Sequence, residues 1–140
     1  MQNEVNRAQR AKKQKCIVVT REKADAQPFK LSGAESAVYF SLIAQSSFKP
    51  RHIKEFRVEK SGYWVHRPKL LVNFIIPKKA YMKLYGEIYN SLMKKGLVDY
   101  CSGCWFLIEP QDWWTISDNP LFIDDPKNIA IPLDDIERYL

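Results

Sequence analysis

The segment from residue 77 to residue 108 constrains the fold most, because its hydrophobic period changes within one short stretch. Apolar residues recur every four positions from Ala80 to Leu92, which is typical of one face of a helix. Two lysines and a glycine at residues 94–96 favour the C-terminal end of that helix. Residues 97–108 are two short β-type runs around a Ser-Gly turn, the pattern of a hairpin. A helix followed at once by a hairpin predicts an α+β fold.

Other segments have the same mixed character. Residues 16–20 are a β-branched run and predict a strand. Residues 32–45 predict a helix, because the first and fourth of them, a serine and a glutamate, stand in capping-box spacing. Residues 53–67 alternate between apolar and polar, and Ser61-Gly62 is a turn signal, so we expect a hairpin that turns there.

Length and composition exclude several classes of protein. A chain of 140 residues is one domain by length. The longest apolar run, residues 70–76, is interrupted by Asn73 and is far shorter than the roughly 20 residues that cross a bilayer. No apolar segment follows the basic N-terminus, so we expect neither a signal peptide nor a membrane association. Three cysteines without an export signal favour a reducing, cytoplasmic location.

Charge is distributed unevenly along the chain. Residues 1–108 contain 20 Lys and Arg against 8 Asp and Glu, whereas residues 109–140 contain 2 against 8. A basic body of this kind indicates a polyanionic partner, and nucleic acid is the first candidate. Between Lys49 and Lys83 the basic residues are interleaved with aromatic residues. These aromatic side chains either stack on unpaired bases, as in many proteins that bind nucleic acids, or belong to the core.

A resemblance to a known family rests on the helix-to-hairpin segment. Residues 91–98, Ser-Leu-Met-Lys-Lys-Gly-Leu-Val, followed by the hairpin at residues 100–108, resemble the recognition-helix end and the wing of winged-helix DNA-binding domains. The strand and proline at residues 105–110 are similar to the wing exit of small plasmid and phage replication initiators. The resemblance covers about residues 77–114.

The resemblance implies a fold and a mode of DNA contact. It implies a winged-helix-like α+β domain in which Asn90 pairs with adenine, Lys94 contacts a phosphate or a guanine, and the wing contacts DNA near Ser102. The chain departs from the pattern at Glu87, an acid where DNA would approach. The alternative is one continuous amphipathic helix over residues 78–95, packed on a sheet with solvated lysines.

The candidate nucleic-acid-binding residues come from the basic hairpin region, the helix and the wing. The arm at residues 1–15 and the hairpin would hold phosphates. The candidates are Arg51, Lys54, Arg57, Lys60, Arg67, Lys69, Lys78, Lys79, Lys83, Asn90, Ser91, Lys94 and Ser102.

Motifs for catalysis or cofactor binding give little signal. Cys101 and Cys104 have zinc-knuckle spacing, but a structural zinc needs four ligands, and the remaining candidates, Cys16, His52 and His66, are not closely paired. No glycine-rich phosphate loop is present among 5 glycines. The sequence therefore predicts no metal, no cofactor and no enzymatic activity.

These observations predict a basic arm at residues 1–15, a winged-helix-like domain at 16–110 and an acidic, aromatic extension at 111–140. We expect the extension to dock on the body or to form a dimer. The predicted function is duplex DNA binding, as a small replication or transcription regulator of plasmid or phage type. The alternatives are a non-enzymatic protein-interaction module, such as a phage-type inhibitor or adaptor with a basic face, and an RNA or single-strand binder.

Overall fold

The computed structural model describes residues 14–53, 57–71, 78–101, 103–109 and 111–140 and is a mixture of helices and antiparallel strands. The predicted α+β class is confirmed at this level. The strands are β1 (Cys16–Thr20), β2 (Ser47–Ile53), β3 (Val58–His66), β4 (Val98–Cys101), β5 (Cys104–Leu107), β6 (Trp114–Ser117) and β7 (Asn128–Pro132). The helices are α1 (Arg21–Asp25), α2 (Gly33–Gln45), α3 (Lys78–Lys94), α4 (Pro120–Ile123) and α5 (Leu133–Glu137).

The chain forms two compact units. The terminal unit contains residues 14–30 and Gln111–Arg138, and the central unit contains the described residues from Leu31 to Glu109 together with Tyr139–Leu140. This grouping differs from the division expected at residues 15 and 110, because β1 pairs with strands from the C-terminal segment.

The terminal unit is built on a three-stranded antiparallel sheet in the order β6-β1-β7. β1 takes the central position because its continuous apolar run buries side chains on both faces, and Ile17 is fully buried. Trp113 and Trp114 are also buried, so these two aromatic residues of the C-terminal segment lie in a core, whereas Phe122 and Tyr139 are exposed. The segment after β1 contains the short helix α1.

The central unit repeats one arrangement, a helix followed by an antiparallel hairpin. α2 precedes the β2–β3 hairpin, and α3 precedes the β4–β5 hairpin. The hairpins join through β3 and β5, which gives a four-stranded antiparallel sheet in the order β2-β3-β5-β4. The predicted strand at 16–20, helix at 32–45 and hairpin at 97–108 are thus confirmed within a residue or two.

One predicted turn is wrong. Ser61-Gly62 lies inside β3, and the β2–β3 hairpin turns instead between Ile53 and Val58. Gly62 serves a different purpose, since a Cβ atom at this position would lie 2.2 Å from Cε2 of Phe106. The glycine lets the Phe106 ring lie against the strand, which local turn propensity cannot reveal.

α2 begins with the predicted capping box. The Ser32 hydroxyl accepts a hydrogen bond from the Glu35 amide at 3.1 Å, and the Glu35 carboxylate accepts one from the Ser32 amide at 3.1 Å. The same carboxylate accepts hydrogen bonds from Ser91 of α3 and from Lys95, each at 2.5 Å. The cap therefore also ties the two helices of the central unit together.

Candidate nucleic-acid interface

The two faces of the central sheet have different surroundings. Residues directly opposite in register share a face, and successive residues alternate. Val65, Trp105 and Leu107 form the helix face, where Tyr89 of α3 stacks on Trp105 with ring centroids 4.6 Å apart. The opposite face, called the outer face below, carries Trp64, Phe106 and Cys104.

A small apolar cluster forms the floor of the outer face. The Trp64 and Phe106 rings lie with centroids 4.6 Å apart, and Ile53 and Cys104 complete the cluster. Trp64 is only 2% exposed. Its indole Nε1 is buried and has no hydrogen-bond partner among the described residues. A buried donor without a partner costs about 1–3 kcal/mol, so a ligand acceptor that reached it would gain a hydrogen bond that folding leaves unmade.

Cationic side chains lie above this floor. The Lys60 Nζ is 3.9 Å from the centroid of the Phe106 ring, and the guanidinium carbon of Arg51 is 5.9 Å from the Trp64 ring. Each arrangement is a cation–π contact, worth about 0.5–1 kcal/mol at exposed sites. The rings therefore hold the two cations on the outer face.

Arg51 and Lys60 are also directly opposite each other in the β2–β3 register. Like charges in that position destabilise an antiparallel pair. Lys49 lies on the same face, two residues along β2, and is exposed. The described salt bridges join Lys95 to Glu35 and Arg138 to Asp135 and involve neither Lys49 nor Lys60. Lys49, Arg51 and Lys60 therefore place three positive charges on one face of this hairpin, which favours an anionic ligand.

The β2–β3 hairpin extends beyond the rest of the sheet. β3 pairs with β5 only through Trp64, Val65 and His66, whereas it pairs with β2 from Val58 to Trp64. Residues 48–53 and 58–63 therefore form a two-stranded ribbon, called the basic ribbon below, about 20 Å long at a rise of about 3.3 Å per residue. A two-stranded ribbon is one of the elements that the major groove of DNA admits.

The predicted binding residues divide between different surfaces. Arg51 and Lys60 lie on the outer face, and Arg57 is exposed beside the hairpin turn with a φ of 52°. Lys83, Asn90 and Lys94 are exposed on α3. The helix packs on the other face of the sheet, so this second set points away from the first. One flat DNA surface cannot contact both sets.

The remaining candidates have other positions. Ser91 donates its hydroxyl hydrogen bond to Glu35, and the Lys69 main chain bonds in both directions with the Gln45 side chain. Arg67 is exposed just after β3, with a φ of 50°. Lys78 and Lys79 lie in the first turn of α3. The predictions for Lys54, for Ser102 and for residues 1–13 of the arm lie outside the described residues.

Three residues of the interface were missed in the candidate set, namely Lys49, Trp64 and Phe106. The alternation of β2 places Lys49 with Arg51, so its inclusion needed only the strand assignment. Trp64 is buried, as expected of a core aromatic, but its ring also lies beneath the Arg51 guanidinium. The position of Phe106 above Gly62 depends on the β3–β5 register, which no local signal encodes.

The charge asymmetry belongs to the units rather than to the two ends of the chain. Residues 31–110 contain 12 of the 22 Lys and Arg and 6 of the 16 Asp and Glu, so they carry the whole net charge of +6. The remaining residues contain 10 of each sign and are neutral in sum. In sequence, the acidic C-terminal segment therefore offsets the basic N-terminal one.

α3 runs without interruption from Lys78 to Lys94, passing through Gly86. This is the continuous helix of the alternative interpretation. Tyr85 and Leu92 are buried, whereas Glu87, Asn90 and Lys94 are exposed, as the helical spacing predicts. The winged-helix relationship itself stays a prediction.

A second polar cluster lies at one end of the outer face. His66 of β3 and Cys101 of β4 flank Cys104 of β5 in register, and the His66 Nδ1 is 3.2 Å from the Cys104 Sγ. Among the described residues, no three His, Cys, Asp or Glu side chains are placed to hold a metal ion. Nor does any helix within the described ranges have the length and apolar character to cross a membrane.

Comparisons with known proteins add no relative. No protein family, no curated protein and no solved structure matches this chain.

Proposed function

We propose that this protein is a non-enzymatic DNA-binding protein that docks the basic ribbon of the central unit on duplex DNA. The observation that carries the proposal is the directly opposed pair Arg51 and Lys60, held over Trp64 and Phe106 on a ribbon that extends beyond the sheet. Phosphates neutralise such a pair, and the ribbon has dimensions that the major groove accepts.

The ribbon presents two kinds of group to the DNA. Its cations, Lys49, Arg51 and Lys60 with Arg57 at the turn, would contact phosphates and position the protein on the duplex. The opposite face of the ribbon carries His52 directly across from Glu59, side chains able to reach base edges in the groove. The resemblance to winged-helix initiators extends the proposal to a role in replication or transcription regulation of plasmid or phage type.

The test is a fluorescence-anisotropy titration of the full chain with duplex DNA, single-stranded DNA and RNA across a salt series. We expect duplex binding whose affinity falls steeply with salt, because each neutralised phosphate releases counterions. The double variant Arg51→Ala/Lys60→Ala should lose about tenfold to a hundredfold in affinity and reduce the salt slope by about 2.

A matched control removes the same charge from the other surface. Lys83→Ala/Lys94→Ala takes two exposed lysines from α3 and should leave duplex affinity within about threefold of wild type, because these residues point away from the ribbon. If this variant loses binding while the ribbon variant keeps it, α3 is the DNA-contacting element, as the winged-helix resemblance implies. Tighter binding of single strands or RNA than of duplex DNA would instead favour the single-strand or RNA binder and overturn duplex recognition.

The alternative function is a protein-interaction module that uses the same basic face for an acidic protein. It predicts no binding of any of the three nucleic acids even at low salt. That result would overturn the DNA-binding proposal.

A further inference from the structure

We propose that Cys101 and Cys104 form a reactive dithiol that exchanges with low-molecular-weight disulfides such as oxidised glutathione and closes into a cross-strand disulfide, with His66 as the base. The inference goes beyond the proposed DNA binding and does not depend on it. The substrate class is a small, diffusible disulfide.

The hairpin register places the two thiols side by side. Cys101 ends β4 and Cys104 begins β5, and the two are directly opposite in the register. Gly103, with a φ of 77°, lies in the tight turn between them. Directly opposed residues have Cα atoms roughly 4.5–5.5 Å apart and point to the same face, which is within the range that a disulfide spans. The bond can therefore form without moving a strand.

His66 supplies a base to only one of the two thiols. It is opposite Cys104 on the other neighbouring strand, with its Nδ1 3.2 Å from the Cys104 Sγ. With the ring proton on Nε2, Nδ1 accepts the thiol proton, and the exposed ring can pass it to solvent. The nearest charged residue on the same face of β4 is Asp99, two positions before Cys101.

The two cysteines differ in burial, and this difference determines which thiol reacts first with an external disulfide. Cys101 is half-buried and is the thiol that a small disulfide can reach, whereas Cys104 is 0% exposed. An external disulfide therefore reacts at Cys101 first. Because Cys104 is fully buried, an external disulfide does not reach it, and Cys104 reacts with the Cys101 sulfur of the mixed disulfide.

The exchange proceeds in two balanced steps. The Cys101 thiolate, its proton lost to solvent, attacks one sulfur of the external disulfide, forms a mixed disulfide and releases one small thiolate. His66 then takes the proton of Cys104, and the Cys104 thiolate attacks the Cys101 sulfur. The second small thiolate leaves and is protonated. In sum, two protein thiols are oxidised and one external disulfide is reduced to two thiols.

Cys16 is an internal control for this chemistry. It is buried in β1, and burial, followed by the charges of Asp135 and Asp134, raises the pKa of its thiol. A raised pKa leaves less thiolate at neutral pH, and only the thiolate attacks disulfides. Among the three cysteines, reaction with a small disulfide should thus be confined to the hairpin pair.

The experiment treats the reduced full chain with oxidised glutathione, quenches with an alkylating agent under denaturing conditions, which expose every remaining thiol, and records the intact mass and the modified peptides. We expect one product about 2 Da lighter than the reduced protein before alkylation, with Cys16 alone alkylated. In Cys104→Ser the reaction should stop at a stable glutathione adduct on Cys101. A wild-type protein that keeps the glutathione adduct, or that reacts first at Cys16, would overturn the proposal.

The role of His66 has a separate measurement. In His66→Gln the conversion of mixed disulfide to internal disulfide should slow about tenfold at pH 7, and the difference from wild type should narrow as the pH approaches the ordinary thiol pKa of about 8.5. A structural effect of the substitution would slow the step by the same factor at every pH. That flat profile, or no change at all, would remove His66 from the reaction.

Discussion

The terminal and central units are both built on antiparallel sheets, but they differ in how their charged residues are distributed. In the terminal unit the most apolar strand, β1, lies between two others, and its chain segments balance 10 basic against 10 acidic residues. In the central unit the sheet continues into the basic ribbon, in which two cationic residues, Arg51 and Lys60, lie directly opposite each other. The terminal unit combines chain segments of opposite charge, whereas the central unit places several positive charges on one face of a hairpin. A count of charge along the chain hides this difference, because residues 14–30 and Gln111–Arg138 fold into one unit.

The largest expected effect tests whether the two units are distinct in stability. Ile17→Ala in β1 and Leu107→Ala in β5 each remove a fully buried side chain and should lower the free energy of unfolding by about 2–5 kcal/mol. In hydrogen exchange followed by mass spectrometry, each variant should lose protection mainly in its own unit. Equal loss in both units for both variants would mean that the molecule opens as one cooperative body.

The next effect concerns the helix pair of the central unit. Burial alone would raise the pKa of Glu35, but the hydrogen bonds from Lys95, Ser91 and Ser32 outweigh it and lower the pKa to about 2. A folded pKa below the unfolded one of about 4.5 stabilises the protein at neutral pH. This stabilisation should be lost as the pH falls from about 4.5 towards 2.

Glu35→Gln should lower the free energy of unfolding by about 2–3 kcal/mol at pH 7, and the difference from wild type should shrink in acid over that window. Urea denaturation at a series of pH values measures both the loss of stability at pH 7 and the decrease of this difference in acid. A pH-independent difference would show that the carboxylate acts through packing and not through its charge.

A smaller effect tests the outer face. Gly62→Ala would place a Cβ against the Phe106 ring, so we expect a loss of about 1–3 kcal/mol in the free energy of unfolding. The same displacement removes the ring beneath Lys60, so affinity for duplex DNA should fall as well. Thermal unfolding and anisotropy on the one variant measure both quantities. A neutral result for stability would mean that the ring shifts freely and is no fixed platform.

The smallest effect has the opposite sign. Gly86 lies exposed within α3, and apart from its chain neighbours and the helix's own backbone no described atom lies within 4 Å of a Cβ added there. Gly86→Ala should raise the free energy of unfolding by about 0.5–1 kcal/mol, since alanine loses less backbone entropy in a helix. The variant also serves as the control for Gly62→Ala. A loss of stability would indicate that the helix bends or contacts another residue at Gly86.

Local signals predicted the elements that depend on neighbouring residues. The capping box at Ser32 and Glu35 fixed the start of α2 because both hydrogen bonds close within four residues. The β4–β5 hairpin followed from two apolar runs around a tight turn. The prediction of a turn at Ser61-Gly62 was wrong, because this turn-forming pair lies within β3. The Phe106 ring, distant in sequence, occupies the position that a Cβ atom at residue 62 would take.

The candidate site could be predicted by region but not by surface. The basic cluster at residues 49–83 contains Arg51 and Lys60, and both lie in the proposed interface. Lys83, Asn90 and Lys94 were grouped with them because sequence distance does not tell which side of a sheet a helix covers. The reaction partners His66 and Cys104 are 38 residues apart in the chain and become neighbours only through the β3–β5 register.

By itself, the sequence determined the mixed fold class, the helix α2 with its cap, the β4–β5 hairpin and a basic excess around residues 49–83. Each of these features depends on local spacing or on composition. The tertiary structure decided that β1 shares a sheet with β6 and β7, that Arg51 faces Lys60 over two aromatic rings, and that a histidine lies beside a cysteine. These juxtapositions follow from strand register and sheet order. Register and sheet order are set by the packing of many distant side chains at once, so no short segment contains them.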